Sequence, residues 1–275
     1  MPDLVCPPGF SDRLDRALAR LVDGLSRTAA RRLIAAGNVF VGGRRCRVAS
    51  RTVREGNRLR LEVEARASSP PVPPILHEDS ACIAIDKPEG MPAAPTRQGS
   101  SGTAIEDLKE YLRRRDGRAT RLWLVHRLDS GTSGVLLFAR TRAAAARLDA
   151  AFRERLAQKE YVAWVAGDMA TEGGTIDTPL RTRGSRSEPD PRGQAAETTW
   201  EVSERREGRT RLVLHPSTGR MHQLRVHLAS IGHPVLGDRL YGGPHAPRLM
   251  LHASRLRLPH PSAGMVLDIQ APPPF

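Results

Sequence analysis

Apolar positions along the chain change period at about residue 38, and that change divides the first part of the sequence. Over residues 11–37 they recur three and four apart, with Leu14, Leu18 and Leu21 in one set and Ala30, Leu33 and Ile34 in the next. Each set covers one face of a helix. Ser11 and Ser26 stand before these sets as candidate N-caps and Gly37 stands after the second as a stop, so two helices are predicted. From Val39 the period shortens to two. Val39-Phe-Val41, the turn pair Gly42-Gly43, the turn Glu55-Gly56-Asn57 and the alternating Leu59, Leu61 and Val63 read as short strands joined by turns. The proline-dense stretch Ala67–Pro74 then reads as a stiff linker.

Beyond the linker, short apolar runs dominate. Cys82–Ile85, Leu122–Val125, Val135–Phe138, Tyr161–Val165 and Arg211–Leu214 are read as strands. Helices are predicted over Ala143–Gln158 and Met221–Ile231, the second stopped by Gly232 and Pro234, and the polar stretch Thr182–Glu197 reads as a loop. Strands outnumber helices without alternating regularly with them, which predicts an α+β domain built on a mixed, mostly antiparallel sheet. The organisation expected is a tail over 1–10, a small α/β module over 11–66, the linker over 67–74 and a large domain over 75–275.

Composition narrows the partner. There are 43 Lys+Arg against 30 Asp+Glu, a net charge of +13, and residues 1–70 hold 14 Arg against 7 acidic residues. About half of the excess therefore sits in a quarter of the chain, as expected of a basic module joined to a more balanced one. All but three of the basic residues (Lys87, Lys109 and Lys159) are Arg, so a genome-wide Arg bias also contributes. Arg27, Arg31 and Arg32 on the second helix, with Arg44 and Arg45 past the hairpin turn, are candidate phosphate contacts or simply a solvated surface. Only 4% of residues are aromatic, which argues against a broad stacking platform for single strands. No apolar stretch is long enough for a membrane helix and the first residues lack a signal-peptide pattern, so a soluble cytoplasmic protein is expected. Cys6, Cys46 and Cys82 are odd in number and far apart, and predict neither a disulfide framework nor a zinc ligand set.

Two polar clusters could carry chemistry. His126-Arg-Leu-Asp-Ser-Gly-Thr-Ser-Gly134 lies between two apolar runs, where catalytic groups and tight turns are both common. Its glycine spacing matches neither a nucleophile elbow nor a phosphate-binding loop. In Thr218-Gly-Arg-Met-His-Gln-Leu-Arg-Val-His-Leu228, His222 and Arg225 flank an apolar stripe of Leu224, Leu228 and Ile231. There Arg225 either points into a cleft or lies along the surface. His222 and His227 fall on different helix faces with no accompanying ligands, so no metal is expected there.

Together with Ile75-Leu-His-Glu-Asp79, Ile85-Asp-Lys-Pro-Glu-Gly90, Lys159-Glu-Tyr161, Gly232-His-Pro-Val-Leu-Gly-Asp238 and Leu251-His-Ala253, these clusters closely resemble the RluA-type RNA pseudouridine synthases, in order across the large domain. The small module resembles the α-L RNA-binding domain, although Gly42 and Asn57 stand where an Asn and an Asp are usual. The resemblance implies Asp129 as the catalytic aspartate, Tyr161 as the active-site tyrosine, Arg225 as the partner of Asp129, and Arg127 as the side chain that replaces a flipped base. His126 would orient the loop or contact phosphate. It implies a cofactor-free isomerase, since moving uracil from a nitrogen to a carbon link changes no oxidation state. A dry pocket disfavours an ionised carboxylate, and a guanidinium partner restores it. Attack by Asp129 on the 1′ carbon and removal of the 2′ proton both fit. Tyr161 would stack on the uracil and help remove the carbon-5 proton, although its apolar neighbours equally fit a sheet-packing residue. The expected partner is structured RNA, ribosomal RNA of the large subunit ahead of transfer RNA, met by a monomer. A non-catalytic RNA-binding or ribosome assembly factor is the competing reading, opposed by the presence of all three site residues. A glycosidase is disfavoured because Asp129 has no paired carboxylate nearby in sequence.

Overall fold

The computed structural model describes residues 4–22, 25–61, 73–95, 102–262 and 264–275. It forms two compact units, Met1–Pro71 and Val72–Phe275. Val63 and most of the proline-rich stretch fall outside the described residues.

The first unit runs β1 (Leu4–Val5), β2 (Ser11–Arg13), α1 (Leu14–Leu21), α2 (Arg27–Ala36), β3 (Val39–Val41), β4 (Arg44–Arg45), β5 (Thr52–Arg54) and β6 (Arg58–Leu61). A four-stranded sheet has the order β1-β6-β3-β4, and β2 pairs with β5. The helical stripe Leu14, Leu18, Ala30 and Ile34 packs on Val39, Val53 and Leu59 in one buried core. Residues 4–10 are not a tail. β1 pairs with β6, and Cys6 is buried with its amide bonded to the Asn57 carbonyl. Ser11 is not a helix cap either, because it lies in β2 opposite Arg54. The first amides of α1, on Leu14 and Asp15, are instead taken by the carbonyls of Arg51 and Ala49. Ser26 does cap α2, its hydroxyl accepting from the Ala29 amide at 3.2 Å. Gly37 closes that helix at φ 82°, and Gly42 and Gly43 both take positive φ in the hairpin turn.

A buried carboxylate organises the arginines of this unit. Asp15 on α1 is fully buried and accepts from Arg13 at 3.2 Å, Arg27 at 3.1 Å and Arg31 at 2.7 Å. Burial pushes its pKa up, but the hydrogen bonds from Arg31, Arg13 and Arg27 outweigh that and hold it far below the ordinary carboxylate range. Arg27 and Arg31 therefore join the two helices while keeping about half of each side chain exposed. The side chain of Arg32 lies outside the described residues. Arg44 and Arg45 are exposed, with Arg45 over the Phe40 ring at 5.1 Å.

The second unit continues with β7 (Ile75–Glu78), β8 (Cys82–Lys87), α3 (Ala104–Asp116), β9 (Trp123–Leu124), β10 (Ser133–Ala139), α4 (Arg142–Arg153), β11 (Gln158–Ala166) and β12 (Gly173–Ile176). It closes with β13 (Leu180–Arg183), β14 (Arg186–Pro189), β15 (Thr198–Arg206), β16 (Arg209–Pro216), α5 (Gln223–Ser230), β17 (Leu251–Pro259) and β18 (Val266–Gln270). Its ten-stranded sheet has the order β12-β15-β16-β11-β17-β10-β8-β7, with β18 joining β17 and β9 joining β10. Pairing is antiparallel except between β10 and β17, where Ser133 faces His252 and Gly134 faces Ala253. That approach is so close that a Cβ on Gly134 would sit 2.2 Å from the Ala253 carbonyl oxygen, and its φ of 111° also suits only glycine.

β10 reads as an unbroken apolar run because both of its faces are covered. Val135, Leu137 and Ala139 join a core with Leu148 of α4, whereas Leu136 and Phe138 join one with Leu108 and Leu112 of α3. Three of the predicted segments take another form. The helix after residue 142 ends at Arg153, and Arg155 at φ 59° turns the chain into β11, which begins at Gln158. α5 starts at Gln223 rather than Met221 because His222 has φ 57°, outside helical space. The polar stretch 182–197 is not all loop, since β13 and β14 form a hairpin turned by Gly184.

The Asp15 cluster makes the first unit acid-sensitive. A carboxylate whose pKa is depressed on folding contributes stability above its ordinary pKa of 3.8 and loses it as pH falls through the folded value. Hydrogen-exchange protection factors across 14–22 and 25–36, taken relative to the intrinsic exchange rate at each pH, should fall on acidification in the native chain. In Asp15→Asn the same amides should be less protected at neutral pH, by about 1–3 kcal/mol, with a flatter acid response.

Candidate active site

A cavity of about 730 Å³ opens at the end of the large sheet. Its wall comes from the segment 125–132 between β9 and β10, from β11, from the end of β16 and from the start of α5. Asp129, Tyr161, Arg225, Arg127 and His126 all line it, although they come from three separate parts of the sequence.

Arg225 is the hub of the wall. It donates from Nε and Nη2 to the two oxygens of Asp238, both at 2.7 Å, and from Nη1 to Asp129 Oδ2 at 3.4 Å. The stronger partner is therefore Asp238, which sequence reasoning passed over even though it closes the Gly232–Asp238 motif. Asp238 is buried and also accepts the amides of Leu240 and Tyr241. Burial opposes the charge on Arg225, but its bonds to Asp238 and then the field of Asp129 raise its pKa, so it stays cationic. Asp129 keeps about a quarter of its side chain exposed, and its Oδ1 has no hydrogen-bond partner among the described residues. Because a guanidinium already stands between these two carboxylates, no room is left for a cation there.

A second line of contacts reaches the same oxygen. The Ser187 amide in β14 donates to the Tyr241 hydroxyl at 2.9 Å, and that hydroxyl lies 2.8 Å from His222 Nδ1. The hydroxyl is then free to donate to Nδ1, which puts the imidazole proton on Nε2, 3.9 Å from Asp129 Oδ2. Burial lowers the pKa of His222 and favours this neutral form.

The loop bearing Asp129 is fixed from behind. Lys87, fully buried at the end of β8, donates from Nζ to the carbonyls of Pro88 at 2.7 Å, Met91 at 2.8 Å and Ser130 at 3.2 Å. Burial lowers its pKa to about 8. Ser133, just past the loop, hydrogen bonds to His252 Nδ1 at 2.8 Å and accepts from Arg248 at 2.5 Å. His126 is tied to the scaffold behind the loop. Its Nε2 accepts the Leu137 amide at 2.9 Å, its ring stacks on Phe152 at 5.0 Å, and burial followed by the charge of Lys159 pushes its pKa down to about 3. Arg127 beside it is exposed at the cavity.

Tyr161 lies in β11 and touches the cores on both sides of it. Burial, then the charge of Asp129, pushes its pKa up, so the hydroxyl keeps its proton. Two polar groups on the cavity wall escaped sequence reasoning. Lys159 Nζ donates to the Thr218 carbonyl at 2.8 Å, with a pKa lowered to about 8 by burial. The Ser217 hydroxyl is a buried polar atom without a partner among the described residues. Arg27, Arg31, Arg44 and Arg45 belong to the first unit. The arrangement offers one carboxylate with an oxygen unpartnered among the described residues, a fixed positive charge behind it and an aromatic wall.

The family described as RNA pseudouridylate synthase matches residues 81–230, and the S4 domain matches residues 12–59. The chain is 35% identical over 289 residues to the ribosomal large subunit pseudouridine synthase D of Escherichia coli strain K12, covering 96% of this chain and 88% of that protein. It is 40% identical over 220 residues to the dual-specificity RNA pseudouridine synthase RluA of the same strain, covering 75% of this chain and 97% of that one. Among solved structures, human RNA pseudouridylate synthase domain containing 4 aligns with a TM-score of 0.62 and 27% identity over 73% of this chain and 88% of that chain. The domain containing 1 protein aligns with a TM-score of 0.61, also at 27% identity, over 73% and 83%.

The Asp238 anchor gives a direct test. Asp238→Asn preserves size but removes the charge that fixes Arg225, so turnover should drop on the order of 10²-fold. RNA affinity measured in parallel should change by only a few-fold. An equal loss in both would make Asp238 a general folding residue.

Proposed function

The chain belongs to the RNA pseudouridylate synthase family, and from that premise we propose that it isomerises uridine in structured ribosomal RNA of the large subunit, with Asp129 as the catalytic residue. The observation that carries the catalytic assignment is Asp129 on the cavity wall with one oxygen held toward Arg225 and the other without a hydrogen-bond partner among the described residues. An ionised carboxylate beside the ribose serves both attack on the 1′ carbon and removal of the 2′ proton. Arg225 stabilises that ionised form through a charge-assisted bond and fixes which oxygen faces the sugar.

Uracil detached from the ribose must turn within the pocket before carbon 5 meets the 1′ carbon. Tyr161 provides a flat wall for that turn. Its resting form is the phenol, a stacking surface and hydrogen-bond donor, and taking the carbon-5 proton first requires that phenol to give up its own. The unpartnered Ser217 hydroxyl and the Lys159 ammonium are polar groups available to the base or the adjacent phosphate. Extruding a stacked uridine costs a few kcal/mol, and Arg127, exposed and planar, is suited to fill the gap it leaves.

Two facts favour ribosomal over transfer RNA. The S4 match supplies an RNA-binding unit in front of the catalytic one. The relative that spans nearly the whole chain is named for the large ribosomal subunit, whereas the dual-specificity relative corresponds to three quarters of it. Each unit has its own core, which supports a monomer, and the ribosomal substrate supports a cytoplasmic site of action. No helix among the described residues is long and apolar enough to cross a membrane.

Asp129→Asn should abolish pseudouridine formation while RNA affinity stays within a few-fold. Mapping pseudouridines in ribosomal and transfer RNA, with and without the gene, identifies the substrate. Wild-type turnover in the variant would overturn the assignment of Asp129, and a missing site found only in transfer RNA would overturn the substrate. Removing residues 1–66 should weaken RNA binding and flatten its dependence on salt, because phosphate contacts are lost. An unchanged slope would show that the basic unit does not touch the backbone.

A further inference from the structure

Far from the catalytic loop in sequence, the turn between β7 and β8 meets the end of β17. His77, Asp79, Cys82 and His260 each turn one donor atom toward a common point, and these atoms lie within 4.8 Å of one another. Asp79 Oδ2 is 2.7 Å from His77 Nε2, 2.8 Å from His260 Nε2 and 3.7 Å from Cys82 Sγ. We propose that these four side chains form a structural zinc site.

The donor set matches the ion. Two imidazole nitrogens, a thiolate and a carboxylate oxygen are the ligands zinc selects, and four protein ligands make a closed structural site rather than a catalytic one. A tetrahedral zinc with bonds near 2.0–2.3 Å needs its ligand atoms about 3.3–3.8 Å apart. The Asp79–Cys82 spacing of 3.7 Å already meets this, and the two His–Asp spacings have to open by about 0.5 Å as the ion replaces their hydrogen bonds.

The carboxylate is oriented in advance. Asp79 Oδ1 accepts the amides of Ala81 at 2.6 Å and Cys82 at 2.8 Å, which leaves Oδ2 for the shared point. An entry path exists as well, because His77 and Asp79 are each about 30% exposed while Cys82 is fully buried. Three changes accompany binding. The Cys82 S–H bond breaks as the S–Zn bond forms, and its proton leaves to solvent. His77 and His260 both direct Nε2 to the Asp79 carboxylate, so each moves its proton from Nε2 to Nδ1 to free the lone pair. At His260 this gives up the bond that Nδ1 accepts from the exposed Ser262 amide. Cysteine spacing alone hides such a site, because His260 lies 181 residues from Asp79 and only one cysteine is used.

Cobalt(II) is the probe, added to the full-length protein after chelator treatment and then displaced by zinc. The expected result is one ion per chain, with visible bands of tetrahedral intensity and a sulfur-to-cobalt charge-transfer band. One proton should be released per thiolate formed. Cys82→Ser should lose the charge-transfer band and the proton, and His260→Gln should weaken binding by about 10-fold or more. Zinc should raise the melting temperature of the native chain but not of His260→Gln. Pseudouridine formation should survive in Cys82→Ser, because Cys82 and the loop-holding Lys87 lie at opposite ends of β8. Absence of stoichiometric cobalt binding, or an unchanged charge-transfer band in Cys82→Ser, would overturn the proposal. Loss of pseudouridine formation in Asp129→Asn bears on the catalytic assignment and leaves the zinc site untouched.

Discussion

One guanidinium between two unequal carboxylates sets the chemistry of the large unit. Arg225 gives both arms of its fork to Asp238 and a single longer contact to Asp129. A symmetrical arrangement would tie up both oxygens of the cavity carboxylate. This one places the bidentate pairing on a buried anchor and leaves one Asp129 oxygen without a hydrogen-bond partner among the described residues. The anchor is in turn fixed by the amides of Leu240 and Tyr241, so the position of the positive charge is determined by backbone. Charge-assisted bonds are roughly twice as strong as neutral ones, which lets a few contacts hold the geometry in a half-open cavity.

The basic character of the first unit has two parts that total charge cannot separate. Arg13, Arg27 and Arg31 converge on buried Asp15, so part of the excess charge serves helix packing before it meets any ligand. Arg44 and Arg45 are exposed beside a glycine turn. Arg27 and Arg31 can serve both ends, because each engages Asp15 through Nε and about half of each side chain faces solvent.

Much of the fold was legible from period alone. Strands buried on both faces, such as β10, announce themselves as apolar runs, and Ser26 and Gly37 bracket α2 as their chemistry requires. Ser11 misled because backbone carbonyls from residues 49 and 51 do the work of a cap, a long-range contact with no local signature. The β13–β14 hairpin was hidden because its strands are polar and short. α3 carried a readable stripe of Ile105, Leu108 and Leu112 that went unused. At the site, Asp129, Tyr161 and Arg225 stood out through motif resemblance, and all three line one cavity. Lys87 and Asp238 sat in the same motifs without a role, since what distinguishes them is burial of charge and three-dimensional partners.

The sheet order has a consequence for how the protein is made. β17 lies between β11 and β10, so a strand that begins at residue 251 separates two that are complete by residue 166. Until that strand has been synthesised, the halves of the sheet have no bridge, and the walls bearing Asp129 and Tyr161 are not joined. Among the described residues, the core of the first unit is drawn from within the first 61 positions. On the translating ribosome the chain therefore acquires its S4-matching unit long before it acquires a pocket.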